Sequence, residues 1–150
     1  PNVQRRWNVR WCVALGVDEA RENFPVFSPD GTAIAFSSNL DGVRDIRGNL
    51  TFDNYILSLT QDGSPANVQR ISDHPGQDSH PWFSPDGQWI VYTSERGGIS
   101  DEEPMVQEVV FGPQMYGELF ARRLSDGLEV RLTHNKWEEG NPFWLRPSSR

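Results

Sequence analysis

Residues 25–31 read Pro-Val-Phe-Ser-Pro-Asp-Gly, and residues 81–87 read Pro-Trp-Phe-Ser-Pro-Asp-Gly. The shared Ser-Pro-Asp-Gly predicts a tight turn, because proline fixes φ, aspartate accepts backbone hydrogen bonds and glycine takes up a left-handed φ. An apolar segment follows each turn, Ala-Ile-Ala-Phe-Ser-Ser at 33–38 and Trp-Ile-Val-Tyr-Thr-Ser at 89–94. Apolar segments on both sides of a turn predict a β-hairpin.

A second turn signal, Asp-Gly, follows at residues 62–63 and again at 126–127. It predicts a second hairpin in each copy, so that each copy holds four strands. The predicted strands are 24–28, 33–39, 54–60 and 68–72 in the first copy, and 80–84, 89–95, 118–124 and 130–135 in the second. Four antiparallel strands make one blade of a β-propeller.

A single blade cannot bury both of its faces, which explains why the phrase recurs. The predicted fold class is therefore all-β, with two complete blades plus flanking strands of a partial or larger propeller. Aromatic residues at matched positions are expected to pack between neighbouring blades: Phe27, Phe83, Phe36 and Tyr92. The predicted units are 1–23 (end of a preceding blade and linker), 24–79 (blade), 80–140 (blade) and 141–150 (first strand of a further blade and tail).

The charge balance, 14 basic against 21 acidic residues and a net charge of -7, argues against a nucleic-acid partner. No run of 18 apolar residues occurs, so we expect no membrane span. Cys12 is the single cysteine, which excludes an internal disulfide and a cysteine metal cluster. The chain also lacks a Gly-x-Ser-x-Gly nucleophile motif and a glycine-rich phosphate loop. We therefore predict no catalytic residues.

The segments at 25–39 and 80–96, followed by Val-Arg-Leu-Thr-His-Asn at 130–135, resemble the TolB-type β-propeller repeat. That repeat reads Pro-x-[Trp/Phe]-Ser-Pro-Asp-Gly and ends its fourth strand in Arg-Leu-Thr. The resemblance implies a propeller whose first strands line a central channel. It also implies a periplasmic or exported protein, and a family that includes envelope components, propeller domains attached to peptidases and sugar-acid lyases.

An acidic residue stands three positions before each repeated proline: Glu22, Asp78 and Glu139. In the propeller that the resemblance implies, these carboxylates form an arc at the channel mouth. They could bind a cation such as calcium or a ligand, or accept backbone hydrogen bonds from the neighbouring blade. His80 lies two residues after Asp78, but its counterparts are Phe24 and Asn141, which argues against the histidine-rich site of the lyases.

The segment 95–118 lengthens the second copy and holds six acidic residues against one basic residue, Arg96. It predicts either a partner-binding loop or a solvated loop that covers its own blade. The predicted ligand- or partner-binding residues are Glu22, Asp78, His80 and Glu139 at the channel mouth, with Asp101, Glu102, Glu103 and Tyr116 in the loop.

These observations predict a non-catalytic binding or scaffold module whose acidic loop face meets a protein or peptide partner, a basic one by charge. The alternatives are an accessory propeller of a larger hydrolase, such as a peptidase gate, and a metal-dependent sugar-acid lyase. Two blades do not close a ring. We therefore expect further blades, from the same parent chain or from other copies, and favour a piece of a longer chain.

Overall fold

The computed structural model describes residues 20–44, 48, 50–74, 76–96, 117–134 and 139–145. They form eight strands: β1 (Glu22–Phe27), β2 (Ala33–Ser38), β3 (Asp53–Leu59), β4 (Pro65–Arg70), β5 (Asp78–Phe83), β6 (Trp89–Ser94), β7 (Glu118–Arg123) and β8 (Glu129–Arg131). The strands pair in order as two antiparallel four-stranded sheets, β1-β2-β3-β4 and β5-β6-β7-β8. Over the described residues, the prediction of an all-β fold with two four-stranded blades is confirmed. No helix of the described residues is long and apolar enough to cross a membrane.

Several strand ends differ from the predicted ones. Strands β1 and β5 begin two residues early, because the pairing continues beyond a bulge in each strand. Strand β8 ends at Arg131, before the predicted end at 135, because the Thr133 hydroxyl and not a backbone group accepts the Leu119 amide at 2.8 Å. Residues 1–19, within the predicted end of a preceding blade, lie outside the described residues. The predicted unit boundaries stay predictions.

The Ser-Pro-Asp-Gly turn has the same hydrogen bonds in both copies. The Ser28 hydroxyl oxygen accepts the amide N–H five residues on at 2.9 Å, and the Asp30 carboxylate accepts the one two residues on at 3.0 Å. Residues 84–89 repeat these distances. Gly31 closes the turn at a φ of 73°, where a side chain would be strained. The motif thus sets the turn and the register of both hairpins.

The same two interactions occur within each sheet, where they join the start of the third strand to the end of the fourth. Arg70 lies 2.7 Å from the buried Asp53 carboxylate, and the Ser72 hydroxyl accepts the Asn54 amide at 2.8 Å. Residues 118–119 and 131–133 repeat both contacts, with an ion pair of 2.9 Å. Arg-Ile-Ser at residues 70–72 and Arg-Leu-Thr at residues 131–133 therefore have the same structural role, which is to hold the outer strand of each sheet.

The main hydrophobic core lies where the two sheets meet. Ala35 and Ile71 of the first unit pack there with Phe83, Ile90 and Tyr92 of the second. The expected packing between blades is thus confirmed for two of the matched aromatic residues. The other two differ: Phe36 lies in a separate cluster with Tyr55 and Leu57, and Phe27 is 43% exposed at the end of β1. Neighbouring residues of a strand face opposite sides, which places Ala35 and Phe36 in different cores.

Candidate binding site at the first strands

Three residues adopt a left-handed backbone at the same point of the repeat: Phe24 (φ 54°), His80 (φ 54°) and Asn141 (φ 51°). Each precedes a proline, which disfavours the α region and usually selects an extended backbone. A positive φ is rare for a bulky residue such as phenylalanine. The predicted first strand of a further blade therefore has, at Asn141, the same backbone conformation as β1 and β5 have at Phe24 and His80.

A β-bulge surrounds this left-handed residue in both complete copies. On β1 the pairing with β2 shifts between Asn23 and Val26, and on β5 the pairing with β6 shifts between Ser79 and Trp82. A bulge leaves residues outside the ladder and turns their side chains in a new direction. The bulge, and not regular strand geometry, therefore sets the direction of the side chain before each proline.

The two bulges bring the Phe24 and His80 rings together. Their centroids lie 4.0 Å apart, with a tilt of 44° between the ring planes. Phe24 is 39% exposed, whereas His80 is buried. The phenylalanine therefore forms the accessible surface of this pair, and the imidazole lies behind it.

The His80 imidazole is also tied to its own blade. Its Nδ1 lies 3.2 Å from the Thr93 hydroxyl oxygen, and that hydroxyl donates to the Ser79 carbonyl at 3.1 Å. Since the hydroxyl proton points at the carbonyl, the arrangement favours the tautomer in which Nδ1–H is the donor. Through these contacts His80 holds the bulge of β5 against β6. Its predicted contact with a ligand or partner stays a prediction.

Asp78 lies inside the contact between the two sheets. Its side chain is fully buried, and its amide donates to the Phe52 carbonyl of the first unit at 2.8 Å. Burial raises the pKa of the Asp78 carboxyl to about 7, and the nearby hydroxyls of Ser94 and Ser72 offset this only in part. Neither hydroxyl completes a well-aligned hydrogen bond to the carboxylate oxygens. The geometry favours a structural role, and the predicted partner contact stays a prediction.

The other two predicted acids occupy strand edges. Glu22 is half-buried and pairs with Ser38 at the start of β1. Glu139 forms an isolated antiparallel bridge with Gly117, whose amide donates to the Glu139 carbonyl at 3.2 Å. No three His, Cys, Asp or Glu side chains of the described residues gather as a metal site, and calcium stays a prediction. The predicted loop residues lie outside the described residues: Asp101, Glu102, Glu103 and Tyr116.

Sequence reasoning missed a charged cluster at the base of the long insertion. Arg96 lies 2.5 Å from Glu129, which also accepts from Arg122 at 3.0 Å and from the Tyr92 hydroxyl at 2.6 Å. The Arg96 guanidinium stacks over Phe120, 4.0 Å from the ring centroid. Partial burial raises the pKa of Glu129, but hydrogen bonds from Tyr92 and Arg96 outweigh it and hold the pKa below its usual value. The glutamate is thus charged and joins β6, β7 and β8.

Comparisons with known proteins give partial matches. No protein-family model matches the chain. The Tol-Pal system protein TolB of Bordetella pertussis and that of Bordetella parapertussis are each 39% identical over 62 residues, which is 41% of this chain and 10% of theirs. The chain thus spans about a tenth of the length of these relatives.

Two solved structures are also similar. The chain is 21% identical to TolB from Acinetobacter baumannii, with a TM-score of 0.49 over 75% of this chain and 21% of that one. It is 24% identical to a putative TolB from Agrobacterium tumefaciens, with a TM-score of 0.49 over 78% of this chain and 35% of that one.

Proposed function

We propose that this chain, which is similar to TolB proteins over 62 residues, is part of a non-catalytic propeller that binds a protein or peptide. The matched relatives are named for the Tol-Pal system. As part of the proposal, we extend the periplasmic or exported location that the resemblance implies to this chain. We also propose that further blades complete the propeller.

One observation carries the proposal: three successive units hold different side chains in one backbone frame. Phe24, His80 and Asn141 share the left-handed conformation, and each is followed by proline. A left-handed non-glycine residue costs on the order of 1 kcal/mol and is retained where the surrounding structure over-determines it. A constant backbone conformation with a variable side chain is suited to recognition, because the side chain can be replaced without changing the structure of the blade.

Charge supports a basic partner. The chain has a net charge of -7, and the predicted binding set includes Glu22 and Glu139 beside the first strands, with the acids at 101–103 in the insertion. Complementary charge speeds encounter and selects partners more than it adds affinity. The exposed face of Phe24 would supply the apolar contact at the centre of such an interface.

Site-specific photo-crosslinking tests this proposal. A benzophenone amino acid replaces Phe24 in one variant and Asn67, an exposed residue of β4, in the control. After irradiation in the native extract, we expect a discrete protein adduct at position 24 that mass spectrometry identifies and that position 67 lacks. Equal adducts at both positions, or no adduct at position 24, would contradict a partner at the first strands.

Charge reversal tests whether the insertion contributes to partner binding. We expect the combined change Asp101→Lys, Glu102→Lys and Glu103→Lys to weaken capture of the crosslinked partner by about tenfold or more at low salt. Capture that is unchanged by the triple variant would remove the insertion from the interface. It would leave the contact at Phe24 to be judged by the crosslinking result.

A further inference from the structure

An apolar groove lies at the opposite end of the first strands from Glu22 and Glu139. Phe27, Trp82 and Trp144 line it and are 43%, 42% and 37% exposed, and Pro29 and Pro85 of the two Ser-Pro-Asp-Gly turns complete its wall. Its volume of about 160 Å³ is small beside the roughly 300–1,000 Å³ of small-molecule sites. The groove therefore has room for one bulky side chain and not for a whole cofactor.

The groove opens at the edge of the sheets where the hairpin turns lie. Strands β1 and β3 run in the same direction, so the turns that follow them share this edge, and the second sheet repeats the arrangement. The two Ser-Pro-Asp-Gly turns abut, since a methyl group added at Gly87 would lie 3.6 Å from Pro29 Cδ. Asp30 and Asp86 are exposed and directly follow Pro29 and Pro85, two residues that line the groove, and we call them the rim aspartates.

Both rim aspartates carry charge at neutral pH. Hydrogen bonds from Ser28 to Asp30, and from Ser84 to Asp86, hold the pKa of each exposed carboxyl below its usual value. Within each turn these bonds end on Oδ1, which leaves Oδ2 outside the turn's hydrogen bonds. The groove thus combines an aromatic floor with an anionic rim.

We propose that this turn-edge groove binds a short basic peptide segment of a partner protein. A Trp or Leu side chain of the peptide enters between Phe27, Trp82 and Trp144, and flanking Arg or Lys residues face Asp30 and Asp86. Charge complementarity decides the occupant, because a second copy of this chain would bring another -7 of net charge to an acidic rim. The site goes beyond the proposed function, since it lies at the other end of the first strands from Phe24.

Peptides of defined sequence test the proposal on the whole chain. Acetylated and amidated Arg-Trp-Leu-Arg and Glu-Trp-Leu-Glu are titrated into the ¹⁵N-labelled protein, with calorimetry to give the affinity. We expect the arginine peptide to bind, with amide shifts at residues 26–28 and 82–84 and an affinity that falls as salt rises. We expect the glutamate peptide to bind at least tenfold more weakly. Equal binding of both peptides, or shifts centred on Phe24, would overturn the proposal.

Two pairs of variants sharpen the test. Trp144 lies beyond the last strand, so Trp144→Ala should fold as judged by circular dichroism and bind at least about tenfold more weakly. Its control Phe143→Ala, 64% exposed and outside the groove lining, should bind like the wild type. Removing both rim charges, Asp30→Asn with Asp86→Asn, should weaken binding between about twofold and thirtyfold. The control Asp62→Asn changes the same chemistry in another turn and should have no effect.

The comparison of Trp144→Ala with Phe143→Ala decides the proposal. Loss of binding in Trp144→Ala together with retention in Phe143→Ala supports the groove, and equal affinities for the two variants overturn it. A dimer in sedimentation that Trp144→Ala dissolves would assign the groove to a second copy and overturn the peptide assignment. Failure here leaves crosslinking at Phe24 unaffected, so the two proposals fail separately.

Discussion

Replacing Asp78 with asparagine is expected to make the protein more stable at pH 8 and to change how its stability depends on pH. The carboxyl is fully buried where the two sheets meet, and burial raises its pKa to about 7 from the ordinary value of 3.8. The folded chain therefore keeps the proton over a pH range in which the unfolded chain releases it. The contribution of Asp78 to stability therefore falls as pH rises from about 4 to about 7, and this fall is complete above pH 7.

The structure sets the size of this effect. One pKa unit corresponds to about 1.36 kcal/mol, so a carboxyl at about 7 in the folded chain and 3.8 in the unfolded chain removes up to about 4 kcal/mol between pH 4 and pH 8. Asparagine has nearly the same shape and stays neutral. Burial also raises the pKa of Asp53 to about 6, although Arg70 opposes the rise. In Asp78→Asn the remaining decline should therefore end near pH 6 and not near pH 7.

Urea unfolding followed by tryptophan fluorescence measures this between pH 4.5 and pH 8. Between pH 6 and pH 7 the stability of the wild type should fall relative to that of Asp78→Asn, because only the wild type has the Asp78 carboxyl. The control Asp86→Asn changes an exposed carboxyl whose pKa the Ser84 hydrogen bond lowers, so it should keep the wild-type decline. Parallel curves for Asp78→Asn and the wild type from pH 6 to pH 7.5 would refute the reasoning.

Three substitutions test the packing that holds the blades. Ile90→Ala should lower the free energy of unfolding by about 2–5 kcal/mol in calorimetry, because Ile90 is fully buried in the core between the sheets; a loss under 1 kcal/mol would contradict that core. Ser72→Ala should cost about 1–3 kcal/mol in urea titration, since it leaves the buried Asn54 amide unpaired; wild-type stability would exclude this role. Gly117→Ala should lower the melting temperature, because a Cβ would lie 2.1 Å from the Ser94 carbonyl oxygen; an unchanged value would show that the strands can separate there.

The sequence predicts most of the fold because the deciding interactions are local. Asp30 and Ser28 hydrogen-bond within five residues, so a short motif is enough to place the turn and the strands on either side. Repetition of the motif then shows that two similar sheets must pack together. The strand ends were less predictable, since Thr133 replaces a backbone acceptor with its own hydroxyl.

The candidate site was less predictable because it depends on contacts between distant residues. Asp78 is buried by the first unit, to which it is joined through the Phe52 carbonyl, and no local pattern marks that contact. Glu129 meets Arg96 across 33 positions of the chain. The left-handed residue before each proline runs against the usual preference for an extended backbone, so residues 24 and 80 looked like ordinary strand positions.

The ion pair between Arg96 and Glu129 bears on whether the insertion of this blade can be exchanged for another sequence. Arg96 stands immediately before the segment 97–116, and the bridge of Gly117 to Glu139 stands immediately after it. The residues on either side of the segment, Arg96 and Gly117, are thus held by contacts with residues outside it. A foreign sequence grafted between residues 96 and 117 would be flanked by the same contacts. The blade is therefore suited as a scaffold for new loops.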